Sequence, residues 1–140
     1  MNFDNKDEIF KQGMTFHKLN NFDMCIKILK KIHKYYPDDS KTLYYIARTY
    51  LDKKEYTFAI KYYTRLINLD NSYLKAKFDL SYIFLLRREL ISGFEKFECR
   101  LDFPQYSQIL ENKYPLNIKE TKGKKVFTYT EQGYGDSIHF

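Results

Sequence analysis

The chain repeats itself at one fixed interval. The small residues Gly13, Ala47 and Ser81 fall about 34 positions apart, as do Cys25, Ala59 and Gly93. The aromatics Phe16, Tyr50 and Phe84 keep the same spacing, and so do Phe22, Tyr56 and Leu90, and Leu29, Tyr63 and Phe97. A period of this length accommodates two short helices and their turns, with small residues where the backbones touch and aromatics filling the space between. One such hairpin cannot bury its apolar face alone, so its neighbours must stack on it. The pattern predicts an all-α fold of three helix-turn-helix units and, before any catalytic residue is considered, a scaffold that holds something.

The individual elements follow from local signals. A first helix is expected over about 7–19, with Ile9, Gln12, Gly13 and Phe16 on one face. Asn20-Asn21 marks a turn. A second helix over 22–35 carries the apolar stripe Cys25, Ile28, Leu29, Ile32 and Tyr36, with Lys27, Lys30, Lys31 and Lys34 on its other side. Pro37 closes the unit, and Asp38-Asp39-Ser40 offers capping oxygens to the next helix, over about 41–52. That helix turns Leu43, Ile46, Ala47 and Tyr50 inward, and the fourth, over 56–69, turns Ala59, Ile60, Tyr63 and Leu66 inward. Asp70-Asn71-Ser72 is read as a break that caps the fifth helix, over 74–86. The sixth, over 90–100, carries Phe94 and Phe97. The third unit departs from the pattern: Lys77 replaces Ile9 and Leu43, and Arg100 replaces Ile32 and Leu66.

A chain of 140 residues is long enough to bury a core without a covalent staple. Cys25 and Cys99 have neither metal nor redox spacing, and Cys25 reads as a buried thiol at a helix contact, which fits a reducing compartment. The first ten residues do not resemble a signal peptide, and the apolar run 82–86 is too short to span a bilayer, so a soluble, cytoplasmic protein is expected. The formal charge is +6. Residues 1–100 hold 19 basic and 13 acidic side chains, while five of each follow. Lysine travels here with abundant Asn, Tyr and Ile, as AT-rich coding would give, so charge alone does not argue for an anionic partner. His17, His33 and His139 lack ligand neighbours, no metal or other cofactor is expected, and the aromatics read as core rather than as a nucleic-acid surface. No Ser/His/Asp or Cys/His set assembles, so the chain as it stands is not expected to be an enzyme.

The periodic positions from about 6 to 100 resemble the tetratricopeptide repeat (TPR) family, with units at about 6–39, 40–73 and 74–107. The resemblance implies a right-handed α-solenoid whose first helices line a concave groove for a peptide or partner segment. The residues matching groove-facing positions are Phe10, Met14, His17, Tyr44, Tyr45, Arg48, Lys75, Phe78, Asp79 and Tyr82. Of the positions at which some family members clamp a C-terminal carboxylate (here Phe10, Met14, Tyr45, Lys75 and Asp79), only Lys75 fits. The expected function is therefore a protein-interaction module with a mixed, aromatic groove.

Beyond residue 101 the helical period fades. Pro104 and Pro115 punctuate the text, and Val126-Phe127-Thr128-Tyr129 reads as one short strand, giving an irregular, β-containing tail. An unpaired strand of this kind is a hazard for self-association. The stretches Gly93 to Arg100, Gly123 to Val126 and Glu131 to Phe140 are similar to the junction of bacterial repeat proteins fused to a Rossmann-like glycosyltransferase domain. That resemblance implies a linker and truncated domain start over 101–140. In it Gly133 and Gly135 would form a substrate-approaching turn, and Asp136 would match a base position. The alternative function is thus the acceptor-recognising arm of a glycosyltransferase without its catalytic half.

Overall fold

The computed structural model describes residues 3–104. The chain divides into two units, Met1–Gln108 and Ile109–Phe140, and every element below belongs to the first. The expected strand at 126–129 and the turn of Gly133, Gly135 and Asp136 lie outside the described residues.

Six helices run α1 Phe3–Lys18, α2 Phe22–Tyr35, α3 Ser40–Asp52, α4 Tyr56–Leu69, α5 Leu74–Leu86 and α6 Leu90–Phe97, ending in a 3-10 turn at Glu98–Asp102. They pair as three hairpins, α1 with α2, α3 with α4 and α5 with α6, and each hairpin stacks on the next through α2 against α3 and α4 against α5. The described residues form the all-α solenoid expected from the 34-residue period.

One turn closes all three hairpins. Asn20, Lys54 and Arg88 adopt positive φ of 57°, 65° and 62°. Around each, two backbone bonds satisfy the last carbonyls of the first helix. Asn20 N donates to His17 O and Asn21 N to Phe16 O; Lys54 N donates to Leu51 O and Glu55 N to Tyr50 O; Arg88 N donates to Leu85 O and Glu89 N to Phe84 O. This is the helix-ending geometry that glycine usually serves. An L side chain there costs on the order of 1 kcal/mol, least at Asn20, since asparagine tolerates this region best.

The links between hairpins differ from one another. Asp39 caps α3 by accepting from Thr42 N at 2.9 Å and also from the Thr42 hydroxyl. Asp38 pairs instead with Arg65 at 3.0 Å, and Ser40 is already helical. The expected cap of α5 is corrected: Asp70 accepts from Ser72 N and Oγ within its own loop, and Tyr73 precedes α5 without a side-chain cap. An Asx-type turn has taken the carboxylate that would otherwise have reached the helix.

The core runs through all three hairpins. Cys25, Leu29, Ile32, Leu43, Ile46, Ala47, Ala59, Tyr63, Leu66, Ala76 and Ile83 are completely buried. The small residues sit where predicted. A Cβ added to Gly93 would lie 2.5 Å from Leu85 Cδ2 and 3.1 Å from Leu85 N, so α5 and α6 meet backbone to backbone there. At Gly13 the tightest approach is 3.3 Å, to Leu29 Cδ2. The Cys25 thiol packs 3.5 Å from Thr49 Oγ1, and burial raises its pKa.

Gln12 is exposed, because α1 turns Phe10 and Gly13 to the core. Phe94 is 59% exposed, whereas the equivalent Ile26 is 7% exposed and Ile60 is partly buried. Ile26 and Ile60 are packed on the common core, whereas no further hairpin follows α6 among the described residues to cover Phe94. Arg100, in place of a core Ile or Leu, lies over the Phe97 ring at 4.9 Å and pairs with Glu98.

Candidate functional site

The first helices α1, α3 and α5 lie side by side, and their shared face gathers most of the predicted groove residues. Phe10 of α1 meets Tyr45 of α3 edge to face at 5.2 Å, and Lys41 Nζ sits 4.3 Å from the Phe10 ring centre. Tyr45 is perpendicular to Tyr44, which also touches Tyr63 and Tyr73. Phe78 of α5 packs against Phe97 and Phe103. Met14, Tyr44, Tyr45 and Phe78 are half-buried, Tyr82 is 48% exposed, and Phe10 is almost wholly covered. The face is a run of aromatic rings with their edges partly open.

Its polar groups form one network that draws on four helices, α1, α3, α4 and α5. His17 Nε2 of α1 lies 2.9 Å from Asp52 Oδ2 of α3. Arg48 bridges Asp52 and Asp79, its Nε 3.3 Å from Asp52 Oδ1 and its Nη1 3.4 Å from Asp79 Oδ1. Asp79 of α5 is 8% exposed and accepts two phenols on Oδ2, from Tyr63 at 2.8 Å and Tyr44 at 3.0 Å. A buried carboxylate is tolerated only when paired and hydrogen-bonded, and here three donors surround it. Burial pushes the Tyr63 and Tyr44 phenols well above their ordinary pKa, and the Asp79 charge adds to the shift. Burial opposes the Arg48 charge, but Asp79 and Asp52 outweigh it and raise its pKa.

This arrangement separates the predicted residues into two groups. His17, Arg48 and Asp79 are linked across the helices, His17 and Arg48 through Asp52 and Arg48 directly to Asp79, with the Arg48 side chain still 42% exposed. Lys75 is exposed and has no carboxylate partner among the described residues. Tyr63, read from the sequence as core, also enters the network, and Asp52 is a member that the sequence reading did not assign to the groove. Their signal was present: complementary polar residues stand about one repeat apart, as in His17 with Asp52, Tyr44 with Asp79, and Lys6 with Asp39 at 2.6 Å. Such pairs join equivalent positions of adjacent hairpins.

Comparisons with known proteins agree with this geometry. Residues 9–39 and 40–73 each match a family model described as tetratricopeptide repeat. No curated protein matches. Among solved structures, a MamA protein superposes with a TM-score of 0.64 at 20% identity, covering 71% of this chain and 55% of its own. A second MamA structure gives 0.65 at 14% identity, covering 78% and 61%. The first TPR of Spaghetti (RPAP3), bound to the HSP90 peptide SRMEEVD, gives 0.67 at 17% identity, covering 79% of this chain and 90% of that one. The present chain thus spans little more than half the length of the MamA chains. At these identities the likeness establishes the fold. Residues 9–73 thus carry two tetratricopeptide repeats within a TPR-like helical stack, and among the described residues no helix is long and apolar enough to cross a membrane.

Proposed function

We propose that these tetratricopeptide repeats, with the third hairpin completing the stack, bind a peptide segment on the face of α1, α3 and α5. The observation that carries this reading is the partly open aromatic run of Tyr44, Tyr45, Phe78 and Tyr82 on a face whose other charged groups are already engaged. Aromatic rings offer large contact area at low entropic cost, and their edges suit apolar and ring side chains. The peptide bound in the Spaghetti structure ends in an acidic residue. On this face Lys41 is held over the Phe10 ring, and Lys75 is exposed with neither a ring nor a carboxylate partner among the described residues. The preferred ligand is therefore a segment with aromatic or aliphatic anchors and one acidic residue, read along its length rather than by its terminal carboxylate.

The test is selection from a random peptide display library, followed by affinity measurement on variants. Tyr82→Ala and Lys75→Glu change exposed side chains and leave the core intact, and Tyr45→Ala opens the central ring cluster. Each should weaken a selected peptide about tenfold, the equivalent of roughly 1.4 kcal/mol. If all three variants bind the selected peptides as the parent does, this face is not the binding surface.

A further inference from the structure

The second helices form an outer face with a different chemistry. The outward positions of α2 are Lys27, Lys30, Lys31 and Lys34, set against Asp23 alone, and α4 adds Lys61 and Arg65 with no acid. Asp38 pairs with Arg65, so the surplus is four, four lysines less one aspartate and then Lys61, the larger part of the formal charge of +6 for the whole chain. By contrast α1 and α6 balance lysine with acid. Exposed lysines occur on other surfaces too, among them Lys11, Lys18, Lys54 and Lys96, but on α2 they stand four together with one acid.

The structure joins these residues into a single patch. Side chains link the two helices: Tyr62 of α4 meets His33 of α2 at 5.8 Å, and Lys30 Nζ of α2 stands 5.5 Å from the ring of Tyr50, which itself stacks on Tyr62. Lys27, Lys31, Lys34 and Lys61 are exposed and have no carboxylate partner among the described residues. Lysines three and four apart on a helix are about 5–6 Å apart, and Lys27 to Lys34 spans about 10 Å. His33 reports the local field: burial lowers its pKa, and Arg65 then Lys30 push it lower, against the opposing pull of Asp38.

The geometry points to a second binding surface on α2 and α4, for an acidic polypeptide segment in extended conformation. Alternate side chains of an extended chain repeat at about 6.6 Å on one side, which matches the lysine spacing. Compact, strongly hydrated ammonium groups suit flexible carboxylates and lack the bidentate fork by which arginine grips phosphate. Nucleic acid is disfavoured because the aromatic floor is already used: Tyr50 stacks on Phe58 at 5.0 Å and on Tyr62 at 5.8 Å, with Lys30 above it. A lipid surface is disfavoured because the apolar stripe of α2, Cys25, Ile28, Leu29 and Ile32, is buried in the core and the outward stripe at 27, 30, 31 and 34 is lysine, although Tyr35 at the end of α2 and Phe58 of α4 are exposed beside it.

The test compares labelled poly-L-glutamate, an oligothymidylate and phosphatidylserine vesicles at low ionic strength and again at about 0.15 M, where screening shortens the reach of surface charge to roughly 8 Å. Two variants carry the same change in net charge. One reverses the patch (K27E/K31E/K34E/K61E), and the other reverses exposed lysines elsewhere (K11E/K18E/K54E/K96E). Circular dichroism confirms that each remains helical. Poly-L-glutamate should bind the parent best, the patch variant should lose at least about tenfold in affinity and the control variant no more than about threefold, by the additive worth of surface charge pairs. A bound polyanion should also raise the His33 pKa in a nuclear magnetic resonance titration. Equal losses in the two variants, no binding of poly-L-glutamate, or tighter binding of the oligonucleotide or the vesicles would each overturn the inference.

Discussion

Removing one buried hydroxyl tests how the three hairpins are held in register. Tyr63 is completely buried, and its phenol donates to Asp79 Oδ2 at 2.8 Å, tying α4 to α5. Tyr63→Phe keeps the ring and opens no cavity, so the change isolates the hydrogen bond. A bond to a charged acceptor contributes about 1.5–3 kcal/mol, and a buried carboxylate deprived of a donor sits at the upper part of that range. The partners that remain are Tyr44 at 3.0 Å and the long 3.4 Å contact to Arg48. A loss of about 2 kcal/mol is expected, lowering the melting temperature by roughly 8–16 °C for a unit of this size. In urea the midpoint should fall by about 1 M with an unchanged slope. Tyr44→Phe, which removes the other phenol, should cost about 1 kcal/mol. The double variant should exceed the sum by at least about 0.5 kcal/mol, because Asp79 then keeps only Arg48. If Tyr63→Phe unfolds within about 0.5 kcal/mol of the parent, Asp79 does not depend on this donor and the account of the network is wrong.

Other consequences are open to measurement. Gly93→Ala should destabilise by about 1–3 kcal/mol despite the better helix propensity of alanine, since its Cβ would fall 2.5 Å from Leu85 Cδ2. Gly13→Ala, which meets only movable side-chain ends at 3.3 Å, should be neutral or stabilising by up to about 1 kcal/mol; equal effects in thermal melts would deny the close α5–α6 contact. Lys54→Gly and Arg88→Gly should each stabilise by about 0.5–1 kcal/mol by relieving left-handed backbone, with loss of stability in chemical denaturation as the contrary result. The raised phenol pKa values of Tyr63 and Tyr44 carry a definite sign: their contribution is complete below the unfolded value of 10.0 and is lost as pH climbs above it toward the folded values. Stability should therefore fall above about pH 10 in the parent and fall less steeply in Tyr63→Phe; identical alkaline profiles would refute the linkage.

The sequence made the helices legible because every helix but α5 carries an apolar stripe and all three hairpins carry small residues at fixed spacing. The ranges of α2, α4 and α5 match the expected ones, and the remaining helices shift by a few residues at their ends. The left-handed turn residues were harder to see, since Lys54 and Arg88 give no local sign of positive φ and only their alignment with Asn20 reveals the shared geometry. The cap of α5 misled because the Asp70 side chain bonds locally to Ser72. The polar network escaped notice because its members come from different helices: a residue about 35 positions away, as Asp52 is from His17, becomes a neighbour only once hairpins stack. The same distance effect concealed that Arg48 pairs with Asp52 of its own helix and with Asp79 of the next hairpin.

The most direct test of the binding account is to map one library-selected peptide by nuclear magnetic resonance on the labelled chain. The account predicts amide and side-chain shifts that form one contiguous surface over α1, α3 and α5, strongest near Tyr45, Phe78 and Tyr82, with those of α2 and α4 unchanged. Shifts confined to α2 and α4, or scattered without a continuous surface, would contradict it.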